Sequence, residues 1–138
     1  MSQENMARIQ RAYEVFNRLG WESEEARRLG TELLHPDVEW HDQRELPGAT
    51  VHHGIEGVEG HLAAAQEALE YGTMDVFEVL DADPCVMVVY RVHAHGRLSG
   101  VPVERDAVNV YRFRGAKVDR VDIFGTRREA LEAAGLSE

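Results

Sequence analysis

Asp42, Asn109 and Asp122, together with the phenols Tyr13, Tyr90 and Tyr111, are the residues of this chain best suited by type and position to act on a small molecule. A carboxylate next to an indole, as in Trp40-His41-Asp42, loses solvation in an apolar site. Its pKa then rises and it becomes a stronger base toward carbon acids. Removing a proton beside a carbonyl leaves negative charge on oxygen, which neutral donors such as Tyr13, Tyr90 or Asn109 can hold. The reaction expected is isomerisation or aldol-type ring closure of a hydrophobic carbonyl compound, without a cofactor and with Asp42 as general base. Asp122 offers a second acid or base, so water-activating hydrolysis is the lesser alternative. Plainer roles stay open beside these. Tyr13 can be core with a satisfied hydroxyl, Asp42 can accept backbone hydrogen bonds before Pro47, and Asn109 and Asp122 can bond each other.

Two turns would gather these groups. Ser99-Gly100, between alternating runs at 86–98 and 101–114, predicts a two-residue hairpin turn that sets Tyr90 opposite Asn109. Gly115-Ala116 faces Arg114 with Lys117 and sets Asn109 opposite Asp122. Directly opposed residues on antiparallel strands share a face. One face therefore carries Val88, Tyr90, Asn109, Tyr111, Phe113, Asp122 and Phe124. Polar groups that project into an apolar interior are costly unless they meet partners, so this row predicts a pocket with Trp40, Val88, Tyr90, Tyr111, Phe113 and Phe124 as ligand-contacting walls. The other face pairs His93 with Asp106, His95 with Glu104 and Arg112 with Asp119 around Val89, Val108, Val110, Val121 and Ile123. No helix is left to cover that apolar patch, which predicts a homodimer through the outer sheet face.

Helices are read from apolar spacing. Met6, Ile9, Tyr13 and Phe16 form one stripe that ends near Leu19-Gly20, and Ser23 caps a second helix through Ala26, Leu29 and Leu33. Trp21 is expected to anchor the turn between them. Val38, Trp40 and Asp42 alternate in a short strand, and a loop over 46–54 leads to a third helix through Val58, Leu62 and Leu69 that stops at Gly72. Residues 73–80 read as a strand before the two hairpins, and Thr126-x-x-Glu129 opens a last helix closed by Gly135.

Composition narrows the classes. The 138 residues suffice for one domain, 1–138, and nothing resembles a linker or repeat. Asp and Glu outnumber Lys and Arg by 25 to 15, which argues against nucleic acid or an anionic membrane as partner. The single cysteine, Cys85, forbids an internal disulfide, and residues 1–11 lack an apolar signal core, so a cytoplasmic location is expected. No run approaches the roughly twenty apolar residues of a membrane span. His93 and His95 lie on one strand face, but acids opposite them explain both, so no metal is expected.

The element order resembles the cone-shaped α+β fold of the nuclear-transport-factor-2-like superfamily, a cystatin-like roll. That resemblance implies a curved antiparallel sheet with helices packed in its concave face and one pocket. The opening Ser2-Gln3-Glu4-Asn5 with Ala12-Tyr13-Glu14-Val15-Phe16-Asn17, the run His35-Pro36-Asp37-Val38-Glu39-Trp40-His41, and Glu129-Ala130-Leu131-Glu132-Ala133-Ala134-Gly135 resemble SnoaL-like proteins, relatives of polyketide cyclases and ketosteroid isomerases. The isomerase resemblance places a proton-shuttling carboxylate at Asp42, a phenol at Tyr13, and Asn109 where those enzymes hold a protonated acid. It also implies a homodimer. Hydrolysis of the epoxide type occurs on this fold and fits Asp122 less well. A non-catalytic module that binds a small hydrophobic ligand or a partner protein on the same scaffold is the alternative to an enzyme.

Overall fold

In the computed structural model, α1 (Ser2–Leu19) buries Ile9, Ala12 and Tyr13 on the stripe that the spacing dictates. It ends at Gly20, whose φ of 87° lets the chain turn while its N–H donates to Phe16 O. α2 (Glu24–Leu33) starts as expected, with the Ser23 hydroxyl accepting the Ala26 N–H at 3.2 Å. It runs straight into β1 (Leu34–His41), so Pro36 lies within a strand. The described residues are 2–20, 22–43 and 50–135; Trp21, Pro47 and most of the loop after β1 lie outside them.

The rest of the order is β2 (Val51–His53), α3 (Gly54–Ala68), β3 (Leu69–Ala82), β4 (Cys85–Gly96), β5 (Pro102–Arg114), β6 (Lys117–Phe124) and α4 (Arg127–Ala133). Two expectations need correction here. β2 falls in what reads as loop, and α3 hands over to β3 at Leu69, before Gly72. Gly72 instead sits inside β3 at a register shift, where a Cβ would stand 3.2 Å from His93 O.

The strands form one unclosed sheet in the order β2-β1-β6-β5-β4-β3. β1 runs parallel to β6 and every other pair is antiparallel, so the sheet is mixed rather than wholly antiparallel. The fold is α+β with a curved sheet, as expected. Ile9 and Tyr13 of α1 pack on the inner face against Val86, Val88, Tyr90, Val92 and Phe113. On the outer face, Ala130 and Leu131 of α4 pack against Met87, Val108 and Val110. The premise that no helix covers the outer patch is therefore overturned.

Register decides which groups share the inner face. The first hairpin closes with four loop residues, 97–100, instead of two. Tyr90 faces Ala107 and Asn109 faces Val88, a slip of two that preserves the faces. His93 accordingly stands opposite Glu104, and His95 opposite Pro102. The second hairpin closes as expected at Arg114 and Lys117, but a bulge at Asp119 changes the pairing from Phe113↔Val118 to Arg112↔Arg120. One extra residue flips parity. Asn109 then faces Ile123, and Asp122 faces Val110 on the other side of the sheet.

The bulge has a visible cause. The buried Asp119 carboxylate accepts from Arg112 Nε at 2.7 Å and Arg114 Nε at 3.1 Å. Burial alone would raise this carboxyl, but the two arginines outweigh it and hold it below the usual carboxylate range. The clamp supplies the partners that a buried charge needs.

Candidate functional site

A cavity of about 160 Å³ lies between the inner sheet face and the first three helices. Its sheet wall includes Tyr90, Val92, Asn109, Tyr111 and Ile123; its helical wall includes Tyr13, Leu33, Val58, His61 and Leu62. Val58, His61, Leu62 and Ala65 fall three and four apart along α3, which explains why one helix face supplies them all.

Four polar groups form a chain on the sheet side. Tyr90 O–H donates to Asn109 Oδ1 at 3.0 Å, and Asn109 Nδ2 donates to the Tyr111 oxygen at 3.0 Å. The hydroxyls of Tyr111 and Tyr13 lie 2.7 Å apart and share one hydrogen bond. Two phenolic protons and one bond between them leave one O–H proton for a further acceptor. Burial pushes all three phenols up from their ordinary value, so each is a neutral donor at any physiological pH. Trp40 adds an indole to the wall, and its Nε1 is buried without a partner among the described residues.

On the helical side stands His61, with its Nε2 3.0 Å from Asp42 Oδ1. Asp42 sits one residue past β1 and is held from three directions. Its Oδ2 accepts the Thr50 N–H at 3.2 Å, and His52 Nε2 lies 3.3 Å from the same oxygen. The His52 and His61 rings stack with centroids 4.0 Å apart. Burial lowers the His61 pKa from its ordinary value, opposed in part by the Asp42 charge, so the ring is neutral at pH 7. An Nε2–H directed at Asp42 leaves the lone pair of His61 on Nδ1. A carboxylate oxygen of Asp42 and one ring nitrogen each of His52 and His61, all within 4.8 Å of one another, are also a set of ligand types that can hold a divalent cation.

Of the residues expected from the sequence, Tyr13, Trp40, Tyr90, Asn109 and Tyr111 line this cavity. Val88 and Phe113 lie in the inner core beside it without lining it. Asp42 is absent from its wall and reaches it through His61. Asp122 and Phe124 are corrected to the outer face. There Asp122 accepts from Arg120 at 2.8 and 3.1 Å, and Phe124 packs near Met87 and Val108. That face bears a broader depression of about 1050 Å³, but its charges are largely spent on one another, as in Arg112–Asp119 and Arg120–Asp122. Asp42 itself lines this depression together with Asp122 and Phe124, while its partner His61 lines the smaller cavity, which is the candidate site.

His61 escaped the sequence reading, although its signal was there. It stands three residues after Val58 on the apolar stripe of α3, where a lone histidine looks like a polar interruption. Asp42 could not be joined to it from sequence, because the contact spans a strand end and a helix.

Fold and cavity define the class: an α+β protein with a small, mostly apolar pocket against a curved sheet. The sequence matches the SnoaL-like domain family over residues 9–121, and the chain belongs to that family. No curated protein matches it by sequence. Among solved structures it is similar to an NTF2-like protein of unknown function from Burkholderia pseudomallei, at 17% identity, TM-score 0.76, and coverage of 94% of this chain and 95% of that one. A candidate SnoaL-like polyketide cyclase from Jannaschia is 20% identical, with TM-score 0.73 and coverage of 96% and 91%. A protein with a ketosteroid isomerase-like fold from Catenulispora acidiphila, in complex with trimethylamine, is 18% identical, with TM-score 0.68 and coverage of 94% and 93%. These likenesses establish the fold. Among the described residues, no helix is long and apolar enough to cross a membrane.

Proposed function

We propose that this protein is a cofactor-free proton-transfer enzyme of the isomerase or cyclase type, acting on a small carbonyl compound in the inner cavity. The observation that carries this reading is one cavity lined both by neutral phenol and amide donors and by a neutral histidine backed by a carboxylate. His61 takes the proton from the carbon next to the carbonyl. The C–H electron pair moves into an enolate, and the negative charge on oxygen meets the spare O–H of the Tyr13–Tyr111 pair. Asp42 is a positioning residue: it orients the imidazole and stabilises the imidazolium. Return of the proton to a different carbon completes an isomerisation, whereas attack of the enolate carbon on a second carbonyl closes a ring. This moves the base from Asp42, as first expected, to the histidine that reaches the cavity. The Asp122 hydrolysis route has no support from its place on the outer face.

The test is deuterium uptake from D2O into phenylacetone next to its carbonyl, followed by proton NMR with and without protein. Uptake accelerated by the protein and lost in His61→Ala supports the reading. No acceleration favours the non-catalytic binding module.

A second reading has its own observation, the convergence of Asp42, His52 and His61 within 4.8 Å. A divalent cation there would leave open positions for a substrate oxygen and would act as a Lewis acid. Titration of protein freed of metal with Zn²⁺, read by calorimetry and compared with His52→Ala, distinguishes it from the metal-free base.

A further inference from the structure

The inner cavity carries an electrostatic signature that the proton-transfer reading does not use. The chain has 25 acidic residues, yet none of the described residues lining this cavity is Asp or Glu. Among the described residues, the one formal charge on its wall is Arg105. Strand alternation explains how it stays alone. Arg105 shares the inward parity of Ala107, Asn109 and Tyr111, while its neighbours Glu104 and Asp106 point outward. Both acids have partners there: Glu104 lies 3.1 Å from His93 Nδ1, and Asp106 holds Arg91 at 2.6 and 3.2 Å.

Other arginines of the sheet and its surroundings are neutralised. Arg91, Arg97, Arg112, Arg114, Arg120 and Arg127 each have an ion pair. Arg105 has no ion pair or hydrogen bond among the described residues. It is exposed and lines the cavity, which places it at the mouth; its charge is felt at the Tyr71 and Tyr90 hydroxyls, which line the same space. In a chain of formal net charge −10, a cation left without an acid beside an acid-free apolar pocket is an unmatched half of a pair.

We infer that the ligand is a small apolar molecule bearing a carboxylate, with the anion on the Arg105 guanidinium at the mouth and the apolar body between Trp40, Tyr90 and Val92. The guanidinium fork fits a planar carboxylate with two parallel hydrogen bonds. A volume of about 160 Å³ suits a single ring, since an apolar cavity of roughly 150 Å³ takes benzene. The substrate class of the proposed reaction thereby narrows to a carbonyl compound that also carries an acid, and to that extent the inference rests on the proposed function.

Benzoate and benzamide test this by NMR titration of the whole protein, because they differ mainly in charge at the same shape. Benzoate should bind about tenfold more tightly than benzamide, and rising ionic strength should weaken benzoate alone. Arg105→Gln should bring the two within about twofold, and Arg105→Lys should keep part of the preference. Equal binding of the two probes, failure of benzoate to bind, a preference that survives Arg105→Gln, or tighter binding of phenyl phosphate than of benzoate each overturns the inference. The titration reads equilibrium binding and needs no turnover. Loss of the charge preference with phenylacetone exchange intact sinks only the carboxylate, and the reverse result sinks only the catalytic reading.

Discussion

The two faces of one sheet use similar residues in opposite ways. The outer face is crowded with charge, and its charges answer one another: Arg91 with Asp106, His93 with Asp75, Arg120 with Asp122. Such exposed pairs contribute little each. The inner face has few polar groups, and all its phenols are neutral by burial. Its network keeps one phenolic proton to spare, and among the described residues its cation, Arg105, has no acid. Completeness suits the outer face to a structural role; incompleteness is what supports the proposal of a ligand on the inner face.

That contrast can be broken or sharpened by experiment. His61→Ala should lower protein-dependent deuterium uptake into phenylacetone by about 10²–10⁴-fold, the usual worth of a positioned base. If Asp42→Asn abolishes uptake while His61→Ala barely changes it, the carboxylate is the base and the histidine its support. Asn109→Leu should cost about 1–3 kcal/mol in urea unfolding, because it strands the Tyr90 hydroxyl. The same change should slow exchange by about 10²-fold through loss of an organised donor.

On the outer side, Leu131→Ala should destabilise by about 2–4 kcal/mol by opening a void beside Met87 and Val108, with exchange per folded molecule unchanged. The pH profile sharpens the pairing of His61 with Asp42. Burial sets the His61 pKa below 6.5, so activity should fall only as pH drops through that lowered value. The Asp42 charge raises this pKa, so Asp42→Asn should shift the acid limb to still lower pH. The smallest effect belongs to Asp122→Asn, within about 1 kcal/mol in stability and without effect on exchange, since its partner Arg120 is part-exposed.

Much of this architecture was legible beforehand. The helix stripe through Ile9 and Tyr13, the Ser23 and Thr126 caps and the Gly115-Ala116 turn are local features whose physics is contained in a few neighbouring residues. Alternation along β4 and β5 likewise placed Tyr90, Asn109 and Tyr111 on one face. It survived a wrong loop length because the slip was an even number. The candidate site was half visible: its phenols and amide came from parity, whereas nothing in their local spacing set His61 and Arg105 apart.

The amino-acid order by itself determined the elements and most of their faces, because propensity, capping and two-residue alternation act over short distances. Only tertiary packing decided the rest. Whether β6 bulged at Asp119 depended on two arginines of another strand closing on that carboxylate, and this one event carried Asp122 out of the pocket row and Ile123 into the cavity wall. The meeting of His61 with Asp42 likewise exists only once α3 lies over the end of β1, since a contact between residues on separate elements is set by packing, which no local spacing encodes.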